Sequence, residues 1–565
     1  MVLMTEKWWH DSVIYQIYPK SFNDSNNDGI GDLAGIIEKL DYLNQLGIDL
    51  IWLSPVFSSP MKDNGYDIDD YYAIAEQFGS MEEMEELIAE ADRRGIGIMM
   101  DLVINHSSDQ HQWFKESRKS KANPKRDYYI WRDPKADGSP PTNWRSIFGG
   151  SAWTYDEQTE QYYLHTFAEE QPDLNWENKK LRQKLYQLVN WWLDKGLAGF
   201  RVDAISYIKK NEFKDQKVNG PDGLSSIFDA SANQPGILDL LNELKAETFS
   251  NYQIVTVAEL YAEDNKRMQE FAGDDGPFDL VFDFRHVDLD LSEGSEWFKQ
   301  RDWDLVELKE RLNEIQKTYS ANRRPAIFWE NHDQPRSLNK YLAESEINNY
   351  SIKMLAAVFM LQRGIPFIYQ GQEIGMTNVK FENIDDYQDL ATHGLYQEAL
   401  KAGYGKEEVM EVVWRRSRDN SRTPMQWSDE KNAGFSKAEP WLKVNPNYQK
   451  INVEENLKDD NSIFYFYKKL IKLRKNSPYQ EIIVDGKYRP ILESDPNLIA
   501  YLREKAGEKL VLIANFKNKK VDLNLDYLVE EVILSNYPDH DYRDLKNKKL
   551  DYQLRPFETI LLKVA

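Results

Sequence analysis

Apolar and polar positions come in alternating blocks along the first hundred residues. Residues 14–18 form an apolar run that predicts a short buried strand, followed by a polar loop. Leu33, Ile36, Ile37, Leu40, Leu43 and Leu46 then recur at helical spacing, and Gly47 ends the pattern. Residues 49–53 are apolar again and run into Ser54-Pro55. Ser80-Met81-Glu82-Glu83 has the form of a capping box and predicts a second helix reaching Gly95, after which residues 97–101 make a third strand. Strand and helix in regular alternation predict parallel βαβ units.

The same alternation resumes downstream, with strands expected at 199–203, 254–259, 279–284, 326–329 and 366–369. Two long stretches interrupt it. Residues 107–176 are rich in Trp, Tyr, Pro, Asn and Gly without helical periodicity, too long for a loop and therefore an inserted domain. Residues 376–450 follow the last of the eight strands as a second insert, and residues 463–475 read as a closing helix. Beyond about residue 480 the pattern changes to short runs separated by turn residues, which predicts an antiparallel β domain. The expected architecture is a (β/α)8 TIM barrel over 1–106 and 177–478, an inserted domain at 107–176, and a C-terminal β-sandwich at 479–565.

Composition narrows the partners. The 565 residues carry a net charge of −23, which argues against nucleic acid and anionic membrane. No apolar run is long enough to span a bilayer, and the N-terminal residues lack the apolar core of a secretory signal. Cysteine is absent, so disulfides and thiolate metal sites are excluded, in keeping with a cytoplasmic protein. A small-molecule substrate and a monomer or homodimer are expected.

Acids stand at the ends of predicted strands. Arg201 and Asp203 share one face of a strand because they are two residues apart. A carboxylate beside a fixed cation stays ionised, as a nucleophile requires, although such a pair could equally do no more than close a turn. Glu259 ends an apolar strand that favours its protonated form, and Asp333 follows another. Converging acids repel one another, so one titrates high and can serve as general acid. His106 and His332 lie beside asparagines and suit hydrogen bonding to sugar hydroxyls better than metal ligation. In the loop 24–32, oxygen-bearing side chains at relative positions 1, 3, 5 and 9, glycine at 6 and the Ile30 carbonyl at 7 have calcium-loop spacing. Magnesium, or an Asx-rich turn without an ion, are the alternatives. Gly35 stands where an EF-hand has glutamate, so it is not an EF-hand.

DLVINH (101–106), GFRVDA (199–204), TVAEL (256–260) and ENHD (330–333), in this order, resemble the four hallmark segments of the α-amylase family of glycoside hydrolases. QPDLN (171–175), RTPMQW (422–427) and the loop NDSNNDGIGDL resemble the oligo-1,6-glucosidase and α-glucosidase subfamily, and the likeness covers nearly the whole chain. It implies Asp203 as nucleophile, Glu259 as general acid/base and Asp333 as transition-state stabiliser. It places Arg201, His106 and His332 in the same subsite, supported by Asp101 and Asn105. It pairs Asp67 with Arg422 to cap the non-reducing glucose, with Tyr66, Phe167 and Gln171 completing the wall, so that glucose is removed one unit at a time. It also implies structural calcium at Asp24, Asn26, Asp28, Ile30 and Asp32.

The residue after the nucleophile tends to be valine in α-1,6-specific members of that subfamily and alanine or threonine in α-1,4-acting ones. Ala204, with Glu330 where α-1,6 enzymes more often carry asparagine, implies α-1,4 or mixed linkage, with transglucosylation through the same intermediate. Oligo-1,6-glucosidase and trehalose-6-phosphate hydrolase are the alternative activities. Residues 285–290 do not match the segment that marks sucrose isomerases. The non-catalytic transporter subunits that share the barrel lose these acids and carry a membrane span, and this chain does neither.

Overall fold

The computed structural model describes residues 7–219, 222–261, 264–273, 275–292, 299–319 and 323–565. Eight strands close a parallel barrel: β1 (Ile14–Ile17), β2 (Leu50–Leu53), β3 (Gly97–Val103), β4 (Gly199–Asp203), β5 (Val255–Glu259), β6 (Leu280–Phe282), β7 (Ala326–Ile327) and β8 (Ile365–Tyr369). Each pairs with the next in sequence, and β8 closes on β1 with Phe367 opposite Ile14. Alternation sorts the side chains. Leu50 and Trp52, Val255 and Val257, Leu280 and Phe282, and Ile365 and Phe367 fill the barrel interior. Continuing that period of two puts Glu259 on the inner face at the top of β5. The same count puts Asp101 above Met99 on β3, and Arg201 and Asp203 above Gly199 on β4. At Gly199 a Cβ would sit 1.9 Å from the Val255 carbonyl, so no larger residue lets β4 lie against β5 here.

The first helical run is two helices, Leu33–Glu38 and Leu40–Leu46, because the backbone leaves helical geometry at Lys39. The capping box at Ser80 forms as expected and starts the helix Met81–Asp92. Within 107–176 the chain makes the helix Gln112–Arg118, a sheet of three short antiparallel strands packed on Phe114, Tyr129, Trp131 and Tyr163, and a fourth strand, Trp144–Arg145, paired in parallel with Ser225–Ser226. The insert after β8 contributes the helices Leu390–Lys401 and Lys406–Arg416 over their own small core.

The C-terminal domain is one six-stranded antiparallel sheet: β9 (Lys487–Ile491), β10 (Leu498–Lys505), β11 (Glu508–Asn515), β12 (Val521–Ser535), β13 (Lys549–Leu554) and β14 (Thr559–Val564). The long β12 pairs with β13 through its first half and β14 through its second, with register shifts between, so the sheet folds over one apolar core. Arg503 and Tyr501 join this domain to the barrel through backbone carbonyls, and Arg474 of the barrel's closing helix binds the same segment. Arg474 donates to Met360 and Gln362, Arg503 to Leu361, and the Tyr501 hydroxyl to Val358. These are the carbonyls left open where the helix Asn349–Met360 ends.

Candidate active site

One guanidinium organises the top of the barrel. Arg201 is buried, and its Nη1 donates to both Asp101 Oδ1 and Asp203 Oδ1 at 2.7 Å, while Nη2 reaches Glu259 Oε2 at 2.8 Å. The cation is shared by three carboxyls from three adjacent strands. Burial pushes Asp203 well above the ordinary carboxyl range; Arg201 pulls it back, and Glu259 and Asp101 push it up again. Asp101 is also raised, by burial first, against the pull of Arg201. The two fully buried acids of the cluster, Asp101 and Asp203, are thus both biased toward holding a proton despite sharing Arg201. The Ala204 amide donates to Glu259 Oε2 at 3.0 Å. Ala204 makes this bond from a left-handed backbone, φ +46°, an uncommon conformation for a residue with a Cβ. Its small side chain thus has a backbone reason.

Asp333 is the opposite case. Burial alone would raise it, but His332, Arg418 and Arg422 outweigh burial and hold it well below the ordinary range. Arg422 donates to Asp333 Oδ1 at 2.7 Å and Arg418 to the same oxygen at 3.2 Å. His332 Nε2 lies 3.0 Å from Asp333 Oδ2, and the Gln16 amide nitrogen faces Nδ1 at 2.8 Å. The network therefore assigns the proton to Nε2, aimed at Asp333. Tyr66 stacks on His332 with an interplanar angle of 7° and donates to Asp101 Oδ2 at 3.0 Å. His106 is buried and points Nε2 at the Tyr66 carbonyl; burial lowers it to about 4, so it is neutral at neutral pH. Phe167 packs edge-on against His106 at 5.2 Å between ring centroids.

The expected Asp67–Arg422 pair does not form. Asp67 is fully buried and accepts hydrogen bonds from Ser59 and from the Lys62 and Asp63 amides. Arg422 serves Asp333 and the His332 carbonyl instead. The pair across the cleft is Asp63 with Arg418, 3.0 Å apart, and Gln171 donates to the other oxygen of Asp63 at 3.1 Å. Arg418 also donates to Asp389, whose carboxyl burial would raise but Arg418 and Arg422 hold at about 2. Sequence reasoning missed Asp63, Arg418 and Asp389. The signal was present, since NGYD follows one aspartate and contains another, and RDNSR holds an arginine at each end.

Glu330 also stands apart from the expected set. It is buried, and its oxygens are taken by Arg336 at 3.0 Å, the Ser337 amide at 2.6 Å and the Ser337 hydroxyl at 2.5 Å. It braces the loop after β7 and has no oxygen left for a sugar. In the loop 24–32, Asp24 accepts the Asn27 and Gly29 amides, Asp28 that of Ile30, and Asp32 those of Ser25 and Gly35. Among the described residues, no three acidic or histidine side chains converge closely enough to make a metal site by themselves. The loop's oxygens fit a cation only with the Asn26 side chain and the Ile30 carbonyl added to them.

Two acids on one cation, beside a third acid held ionised, form an arrangement suited to breaking an acetal bond: one carboxylate attacks, one carboxyl donates its proton, and the third bears charge. The alpha amylase catalytic domain matches residues 16–486. The oligo-1,6-glucosidase of Bacillus cereus is 47% identical, over 99% of this chain and 100% of that protein. The trehalose-6-phosphate hydrolase of Bacillus subtilis (strain 168) is 42% identical, over 99% of this chain and 98% of that protein. Among solved structures, the isomaltulose synthase of Erwinia rhapontici NX5 superposes with a TM-score of 0.94 at 40% identity, covering 99% of each chain. The trehalose-6-phosphate hydrolase of Bacillus licheniformis gives 0.89 at 43%, covering 99% of this chain and 100% of that one.

Proposed function

This chain belongs to the alpha-amylase family of glycoside hydrolases, and on that footing we propose that it is a retaining, exo-acting α-glucosidase that takes single glucose units from short α-glucosides. The observation that carries the reading is the Arg201 guanidinium bonded to Asp203 and Glu259 at once. That bridge supports the short carboxyl spacing of a retaining pair, about 5–5.5 Å. Asp203, fixed on Arg201, attacks the anomeric carbon, and Glu259 gives its proton to the leaving oxygen. The glycosyl ester on Asp203 then yields to a water that Glu259 deprotonates. The difference in exposure supports the division of labour: the Glu259 side chain is 25% exposed and can meet the leaving group, while that of Asp203 is 9% exposed. Asp333, held ionised with His332, grips ring hydroxyls as positive charge develops on the sugar.

Asp63 and Arg418 hold the far end of the terminal glucose, in the role first expected of Asp67 and Arg422. The reach of Arg418 to Asp63 and Asp333 together supports a closed-ended pocket and hence exo action. On linkage, the relatives do not support a preference for α-1,4 bonds. Several carry names of α-1,6 action, the glucan 1,6-alpha-glucosidase of Streptococcus pneumoniae serotype 4 among them at 45% identity. The left-handed backbone at Ala204 accounts for a small residue there without reference to the bond cleaved. We therefore assign α-1,6-linked glucosides first. Glucose release from isomaltose faster than from maltose at equal concentration is the expected result. Faster release from maltose overturns the linkage, and cleavage of trehalose 6-phosphate alone transfers the assignment to that substrate.

A structural calcium ion, or magnesium in its place, at Asp24, Asn26, Asp28, Ile30 and Asp32 belongs to the same proposal. Chelation is expected to lower the melting temperature and calcium to restore it; an unchanged transition removes the ion. We assign the protein to the cytoplasm, in keeping with its lack of cysteine; among the described residues no helix is long and apolar enough to cross a membrane.

A further inference from the structure

Residues 59–67 form a loop with one turn, over 62–65, and three left-handed backbone positions. Met61 has φ +63°, Asn64 +50° and Gly65 +106°. Two of these are residues with a Cβ in the left-handed region, a strained conformation that persists where the surrounding structure holds it. From this loop come Asp63, paired with Arg418, and Tyr66, stacked on His332. At its far end lies one carboxylate. Asp67 is 0% exposed, accepts the amides of Lys62 and Asp63 at 3.0 Å each, and takes the Ser59 hydroxyl at 3.1 Å. Lys20 ties the loop from outside by donating to Asn64 Oδ1 at 2.8 Å.

We propose that Asp67 is a positioning residue: its carboxylate is the internal anchor on which the loop is wound, and it acts on substrate only through the placement of Asp63 and Tyr66. The chain geometry makes this specific. Asp67 accepts the backbone amide of Asp63 itself, so the residue facing Arg418 is fixed from behind by the residue four places on. An amide nitrogen in place of either Asp67 oxygen could not accept the backbone bond made there, and it would set its own N–H against that of Lys62 at Oδ2 or that of Asp63 at Oδ1. The loop would then open at Lys62, which is exposed, and Asp63 would lose its fixed approach to Arg418. Lost placement of a group that grips the sugar in both ground and transition states raises KM more than it lowers kcat.

This rests on the glucose pocket proposed above, so the test has one arm that depends on that pocket and one that does not. In the first arm, Asp67→Asn, Ser59→Ala, Asp63→Asn and the double variant Asp63→Asn/Asp67→Asn are compared with the wild type on p-nitrophenyl α-glucoside. Expected are a rise in KM of about tenfold or more for Asp67→Asn with kcat within about threefold, and a smaller rise for Ser59→Ala. The double variant should be little worse than Asp63→Asn alone, because the two residues act as one unit. Additive effects, or a loss confined to kcat, overturn the proposal. In the second arm, trypsin cleavage after Lys62 is followed by mass spectrometry below the melting temperature. Faster cleavage in Asp67→Asn, with other sites unchanged, supports the anchor. Equal cleavage at Lys62 in a folded Asp67→Asn protein overturns it, whether or not the wild type hydrolyses the glucoside. An inactive wild type would overturn the glucosidase reading alone.

Discussion

Arg201 shows how much chemistry one side chain can set. Its neighbours Asp101 and Asp203 arrive by register, since β3 and β4 pair with Asp101 opposite Arg201 and Val103 opposite Asp203. Glu259 comes from the next strand. Replacing Glu259 by glutamine keeps the shape and removes the transferable proton. Glucose release from an unactivated disaccharide should then fall by about 10²–10⁴-fold, with less loss on a glucoside whose leaving group needs no proton. Equal losses on both substrates would remove Glu259 from the acid role. At this scale the sequence was informative where chemistry follows from strand period, and misleading where it depends on loop conformation. Asp203, Glu259 and Asp333 could be placed from flanking residues. Asp63 and Asp67, and likewise Arg418 and Arg422, are look-alikes four residues apart. Which of each pair faces the cleft is decided by the left-handed turns at Asn64 and Gly65 and by the short helix Asp419–Arg422. No periodicity in the sequence encodes that choice.

Among the elements, the barrel strands, buried on both faces, were legible as short apolar runs, and their order followed from the alternation with helices. The helical run at 33–46 was legible too, but its break at Lys39 was not, because leucine spacing continues across it. The segment 107–176 could be recognised only as an insertion. Its strands are two to four residues long, below the length at which alternation is readable. This segment carries an acid-sensitive pair. His111 caps the helix Gln112–Arg118 by accepting the Trp113 amide, and burial, with help from Lys125 and Lys115, lowers it to about 3. Its partner His106, the last barrel residue before the segment, is held at about 4 by burial. Both folded values lie below the unfolded value of about 6.5, so the neutral forms favour the fold fully above that pH. Stability is lost as pH falls from about 6.5 toward 4, because the unfolded chain binds protons that the fold refuses, at up to about 1.4 kcal/mol per pH unit for each histidine. The melting temperature should therefore drop between pH 7 and 5. A His111→Asn variant, which can still cap the helix, should show a shallower drop; an unchanged slope would mean that His111 does not contribute.

For the whole molecule, the question is what the C-terminal sheet does for a barrel that holds all the candidate chemistry. Its fold class was readable from short runs and turns, while its attachment was not. Arg503 looks like an ordinary surface cation in the sequence, yet it is buried and bonded to the Leu361 carbonyl just before β8. Lys309 does the same from the barrel side, donating to the Leu492 and Leu498 carbonyls. Leaving such carbonyls unpaired costs about 1–3 kcal/mol each. Arg503→Met should therefore lower the stability of barrel and sheet together, in one calorimetric transition, with KM for the glucoside unchanged. Two separated transitions would show the domains to be energetically independent.

The bond between Asp63 and Arg418 has a consequence in the order of synthesis. A ribosome completes all eight barrel strands by Tyr369, nearly fifty residues before Arg418 is added. Until then Asp63 and Asp333 face one cleft without the cation that joins them. At that stage the closing helix Ile463–Lys475, part of the barrel's main core, is also missing, and the candidate site holds a pair of repelling acids. The ion pair across the cleft thus exists only once the last quarter of the polypeptide has folded back over the first sixty-odd residues.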